Sequence, residues 1–123
     1  MPVECADFLD VSDFLISSSN QHEIFNRAAL GRAYYSVYHE ALLKADELSL
    51  PAAGGTATMG EHKRLIARYS AGGKRLKVIA GMIDKMRTVR STVDYTLKAS
   101  YCRQDALKDI KVCKTIIGEL QKL

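Results

Sequence analysis

Disulfides, metal frames and membrane spans are what this sequence most plainly lacks. Its three cysteines, Cys5, Cys102 and Cys113, are an odd number with no C-x-x-C pair. They read as small buried or half-buried thiols of a reducing compartment, not as a disulfide scaffold or a zinc site. His22, His39 and His62 have no ligand spacing, so no metal is called for, and no cofactor is expected. No apolar run approaches the roughly 18–20 residues of a membrane helix. The opening residues carry Glu4, Asp7 and Asp10 where a signal peptide would carry positive charge. The expectation is a cytoplasmic protein with no membrane partner. Proline is limited to two residues, glycine is rare outside the segment breaks, and no stretch alternates apolar and polar residues as a half-buried strand does. There is no internal repeat and no low-complexity linker.

What remains is helical and globular. The chain has 123 residues, enough for one domain (1–123) with a sizeable core, and its 47% apolar and 26% charged residues argue against disorder. The net charge of +4 conceals an asymmetry. Residues 1–61 hold three basic and nine acidic side chains, and residues 62–123 hold fifteen basic and five acidic ones. A basic half can attract phosphate-bearing partners. It can equally pair with the acidic half, its own or that of a second subunit.

Apolar periodicity divides the chain into helices. Cys5, Phe8, Leu9, Ser12, Leu15 and Ile16 form one amphipathic stripe. Asn20 with Glu23 resembles a capping box for a second helix, from about Gln21 to Leu48, with Leu30, Tyr34, Val37, Ala41, Ala45 and Leu48 on its stripe. Pro51 and Gly54-Gly55 close it. Thr58 with Glu61 suggests a second capping box, opening a short helix through His62, Leu65, Ile66 and Tyr69 that Gly72-Gly73 breaks. A fourth helix carries Leu76, Ile79, Ala80, Ile83, Met86, Val89 and Val93. After a turn at 98–103, a fifth carries Leu107, Ile110, Cys113, Ile117 and Leu120. The pattern predicts an all-α fold, a four- to five-helix antiparallel up-down bundle.

Several polar residues stand close to these stripes. Arg90 lies seven residues after Ile83 and four before Asp94, so its guanidinium emerges beside the apolar face. Such a charge needs a partner, because an unpaired buried charge costs several kcal/mol. Asp94, one turn on, is the nearest carboxylate, and Arg87 shares the face. The group reads either as a clamp for an anionic ligand or as an ion pair that fixes helix packing. Arg32, Tyr35 and His39 share one face of the second helix, either looking across at Arg90 and Asp94 or packing with their polar ends at the surface. His62, in the first turn of the third helix, reads as a cap or surface residue, with a general-acid role as the alternative. Lys74, Arg75, Lys77, Lys85 and Arg87, with Lys108, Lys111 and Lys114, can form a phosphate-attracting wall. No aromatic residues interleave with them to stack bases.

Three segments occur in a recognisable order: Arg27-Ala-Ala-Leu-Gly-Arg32-Ala33-Tyr34-Tyr35-Ser36-Val37-Tyr38-His39, then Gly60-Glu61-His62-Lys63, then Arg87-Thr88-Val89-Arg90-Ser91-Thr92-Val93-Asp94-Tyr95. Together they resemble the HEPN superfamily over about residues 20–120. The resemblance implies a helical bundle that dimerises and works on or beside nucleic acid, in toxin–antitoxin or phage-defence systems. In some of these it accompanies a minimal nucleotidyltransferase or another defence protein. It also implies a ribonuclease motif late in the bundle, R-x4–6-H. Here Arg90 is followed at that reach by Tyr95, Thr96 and Leu97, and Asp94 precedes them. The expectation is therefore a homodimer that binds a nucleotide, an RNA or a protein partner without cutting, through Arg32, Tyr35, His39, Arg87, Arg90, Asp94 and Tyr95. The competing expectations are a divergent metal-independent ribonuclease, with Arg90, Asp94 or His39 as catalytic candidates, and a purely structural subunit.

Overall fold

The computed structural model describes residues 2–19, 22–55 and 57–123. Five helices account for most of them: α1 (Cys5–Ile16), α2 (Glu23–Glu47), α3 (Glu61–Ser70), α4 (Lys74–Tyr95) and α5 (Arg103–Gln121), with no strand among the described residues. The all-helical fold expected from the periodicity is therefore observed.

α2 is the axis of the assembly and packs against all four other helices. Its sequence explains why. Ala29, Gly31, Ala33, Ser36, Ala41 and Ala45 are buried on several sides of the helix, and small side chains let neighbours approach closely all round. The single stripe read from the sequence is thus widened: between Ala29 and Tyr38 only Arg32 and Tyr35 escape full burial. Leu48 is exposed. Around this axis α4 contributes Ile79, Ile83, Met86 and Val93 to the core, and α5 contributes Ala106, Ile110, Cys113, Ile116 and Leu120. On α5 the core face is rotated slightly from the expected one, with Ala106 and Ile116 buried and Leu107 exposed.

Polar contacts set the directions of the helices. The buried hydroxyl of Ser12 donates to the Ala29 carbonyl at 2.7 Å, and that of Ser36 to the Cys5 carbonyl at 2.8 Å, so α1 runs against α2. Tyr34 meets His62, and the Tyr69 hydroxyl donates to the Ala41 carbonyl at 2.6 Å. Both partners have advanced by seven residues, so α3 travels along α2 in the same general sense. The strict up-down alternation expected from the sequence fails at this step, because α3 begins beside the middle of α2 and not at the end that α2 has reached.

Cap assignments also differ from expectation. Helix α2 is capped by His22, whose Nδ1 accepts the Ile24 backbone N–H at 3.1 Å; Asn20 and Gln21 lie outside the described residues. Helix α3 starts at Glu61 behind Gly60, with no side-chain cap, so Thr58 stands too far out to serve. At the other end of α2, Leu50 N–H donates to the Ala45 carbonyl and Ser49 N–H to that of Asp46. This is the closure that usually places glycine in the left-handed region; here Ser49 occupies it with φ 52°.

Candidate functional site

The first turn of α3 is laid against the middle of α2 and the C-terminal half of α4, and a polar site forms where the three meet. Tyr34 is fully buried, yet its hydroxyl lies 2.8 Å from His62 Nδ1. His62 is the acceptor the hydroxyl finds, so the proton assignment that satisfies both groups has Tyr34 donating to Nδ1, leaving the imidazole proton on Nε2. Rings enclose the histidine: Tyr38 at 4.4 Å, Tyr34 at 5.5 Å and Tyr35 at 6.0 Å between centroids. Burial, and then the Arg90 charge, push the His62 pKa below its ordinary value, which keeps the ring neutral near pH 7. Burial also pushes the Tyr34 pKa up, against the opposing pull of Arg90, so the phenol remains a donor.

Arg90 closes the site from α4. Its Nη1 donates to Asp94 Oδ2 at 3.1 Å, the one-turn pair anticipated from the sequence. The guanidinium carbon sits 5.4 Å from the Tyr34 ring centroid and 5.7 Å from that of Tyr35, a cation–π arrangement on two faces. The side chain is only 12% exposed, and its Nε, fully buried, has no hydrogen-bond acceptor among the described residues. Beside it opens a hollow of about 250 Å³ lined by Gly60, His62, Lys63, Arg87, Arg90 and Ser91. No carboxylate lines it. Two guanidiniums, an ammonium, a hydroxyl and a neutral imidazole that offers N–H converge there, and the first-turn amides of α3 lack a side-chain cap. Such a set accepts an oxyanion. Among the described residues no three His, Cys, Asp or Glu side chains come together as metal ligands.

The residues marked in the sequence divide into two groups. Arg87 and Arg90 line the hollow, and Asp94 orients Arg90. Arg32 and His39 instead face α1: His39 stacks on Phe8 at 5.0 Å, and the Arg32 guanidinium lies over Tyr35 at 4.9 Å and Phe8 at 5.9 Å. Tyr35 joins the groups, its ring within cation–π reach of both Arg32 and Arg90. Tyr95 is 74% exposed and lines no part of the hollow. His62 is no cap or bare surface residue; half-buried and bonded to Tyr34, it is central. Lys63, Ser91 and the Tyr34 hydroxyl complete the site and were not marked. The Gly60–Lys63 segment held the signal, but only the placement of α3 along α2 brings it to α4. Of the basic wall, Arg75 pairs with Glu119 at 3.9 Å, Arg87 with Asp84 at 3.1 Å and Lys114 with Asp13 at 3.0 Å, so part of its charge is neutralised within the chain.

Comparison with protein-family models, with curated proteins and with solved structures finds no match for this chain.

Proposed function

We propose that this chain is a HEPN-like helical protein that binds a phosphate-bearing ligand, a nucleotide or an RNA, in the hollow between α3 and α4 without cleaving it. The observation that carries the reading is a lining rich in cationic donors and free of carboxylates, beside an arginine whose buried Nε has no acceptor among the described residues. The three motif segments quoted above support the family reading, and two of them, Gly60–Lys63 and Arg87–Asp94, contribute side chains to one place. The family reading carries with it a homodimer, a toxin–antitoxin or phage-defence setting, and a minimal nucleotidyltransferase or other defence protein as companion.

A second reading, metal-independent ribonuclease, draws support from one observation: His62 lines the same hollow as Arg90 and so offers the imidazole that the late helix lacks. The Tyr34 bond weighs against it. With Nδ1 engaged and the proton on Nε2, the ring faces a ligand as a donor, the wrong form for a general base.

The test is an isotope-labelled protein titrated at low salt with adenosine monophosphate and with a short oligoribonucleotide. Shifts concentrated at His62, Lys63, Arg87, Arg90 and Ser91 support binding. Shifts confined to Lys108, Lys111 and Lys114 would move the site to the basic wall, and RNA cut by wild type but not by His62→Gln would establish the second reading.

A further inference from the structure

The α1 side of the molecule has a character of its own. Every charged side chain from residue 2 to residue 19 is acidic: Glu4, Asp7, Asp10 and Asp13. The same stretch exposes large apolar groups, Val3 at 56%, Val11 at 45% and Phe14 at 76%, and Leu43 of α2 beside it is 51% exposed. The α1 helix is amphipathic inward through Ser12 and Ile16, so Val3, Val11 and Leu43, which line hollows beside it, form a second apolar edge that the fold itself leaves uncovered; Phe14 lies outside those hollows.

That edge is a furrow. Two hollows, of about 220 and about 310 Å³, share Val3 and Phe8. One continues to Leu42 and Leu43, the other to Val11. Together they follow α1 as far as Val11; from Val3 to Val11 is about 12 Å at 1.5 Å per residue, room for about two turns of a docked helix. The floor is apolar, and Glu4 and Asp7 stand in its lining. Of the basic residues in that lining, Arg32 is held over the Phe8 and Tyr35 rings and His39 is stacked on Phe8.

We propose that this furrow receives an amphipathic helix of a different protein, with apolar anchors at i, i+3 or i+4, and i+7 flanked by Lys or Arg. Helix-in-groove docking requires a continuous apolar floor, and carboxylates at the rim select a basic partner. A second copy of this chain fits poorly. A twofold dimer through this face sets Glu4, Asp7 and Asp10 against the same carboxylates, and a head-to-tail contact with the basic half of another copy builds a ring or an open filament, not a twofold dimer. The proposal is independent of the hollow at Arg90.

The experiment uses the full chain and two synthetic amphipathic peptides with identical leucine anchors, one flanked by lysine and one by glutamate. Fluorescence anisotropy at low and high salt reads the binding. The lysine peptide is expected to bind, to weaken with salt, and to lose about tenfold in affinity, about 1.4 kcal/mol, in Val11→Lys and in Leu43→Lys, both surface changes. Failure of the lysine peptide to bind, equal binding of the glutamate peptide, or indifference to both substitutions overturns the proposal. Sedimentation showing a self-associated chain that Val11→Lys dissociates overturns it too, by making a second copy the occupant.

Discussion

Arg90 and His62 are placed by opposite means. Arg90 is anchored on Asp94 and flanked by the rings of Tyr34 and Tyr35; His62 is fixed through Nδ1 by the buried Tyr34 phenol. The consequence for His62 is measurable. Burial and the nearby Arg90 charge lower its pKa from 6.5. The unfolded chain therefore takes up its proton at a higher pH than the folded one. Stability from this group is full above the unfolded value and is lost as pH falls through the lower folded value. Urea midpoints at about pH 7.5 and about pH 5.5, on either side of the ordinary histidine pKa, should show a larger acid-side loss for wild type than for His62→Gln. Parallel losses would mean that the ring is not held neutral. His62 also shows where the sequence stopped being informative at this scale. Its residue type and its place in the first turn of a helix were legible; that a buried hydroxyl on another helix would hold it was not.

At the scale of elements, the stripe of α4 was fully legible, because one face of that helix meets the core and the other meets solvent. The axis helix α2 was less so, since a helix contacted by four neighbours has no single apolar face to report. Its first turn makes a junction that no periodicity announces. Arg27 is buried, donates through Nε to Glu23 at 3.1 Å and through Nη1 to the Val93 carbonyl at 2.7 Å, and bonds the Ala99 carbonyl through Nη2. Glu23 in turn accepts the Tyr101 backbone N–H at 2.7 Å, the main reason its pKa is lowered. One guanidinium thus satisfies the carbonyls at and beyond the C-terminus of α4 and positions the turn into α5. Arg27→Met should cost about 3 kcal/mol or more in urea unfolding, because it strands buried acceptors; a loss below 1 kcal/mol on that order-of-magnitude scale would refute the junction's importance. The opposite sign is expected at Ser49, where φ is 52°. Ser49→Gly removes a left-handed strain of about 1–2 kcal/mol and widens the unfolded ensemble by somewhat less. The net gain should be about 0.5 kcal/mol, read as a higher urea midpoint, and a lower midpoint would contradict the assignment of that turn.

At the scale of the whole molecule, the division of charge between the two halves was visible at once, but its use was not. The acidic half supplies Asp13 to Lys114 and Asp46 to Arg68, so the halves are partly joined inside one chain. The direction of α3 has a larger effect. By running α3 along α2 it brings a basic turn, His62 and Lys63, to the arginines of α4. Arg32 and His39 could not join them, since they lie on the α1 side of α2. The resulting concentration of cations predicts a specific salt response. If Lys63, Arg87 and Arg90 are the charges neutralised by a single-stranded RNA, the logarithm of the binding constant should fall with the logarithm of salt at a slope of about −2, some 0.7 per contact. A much steeper slope would implicate the lysines of α5.

The most direct measurement compares wild type with Arg90→Gln and Arg90→Lys in binding a short oligoribonucleotide at low salt, with urea unfolding of each variant as the control for folding. Arg90→Gln should lose roughly 10- to 100-fold in affinity, the worth of a charge-assisted hydrogen bond, and Arg90→Lys should recover only part of it, because an ammonium cannot reproduce the planar fork. Binding by a folded Arg90→Gln protein that matches wild type would contradict the central claim that this guanidinium and its hollow hold a phosphate.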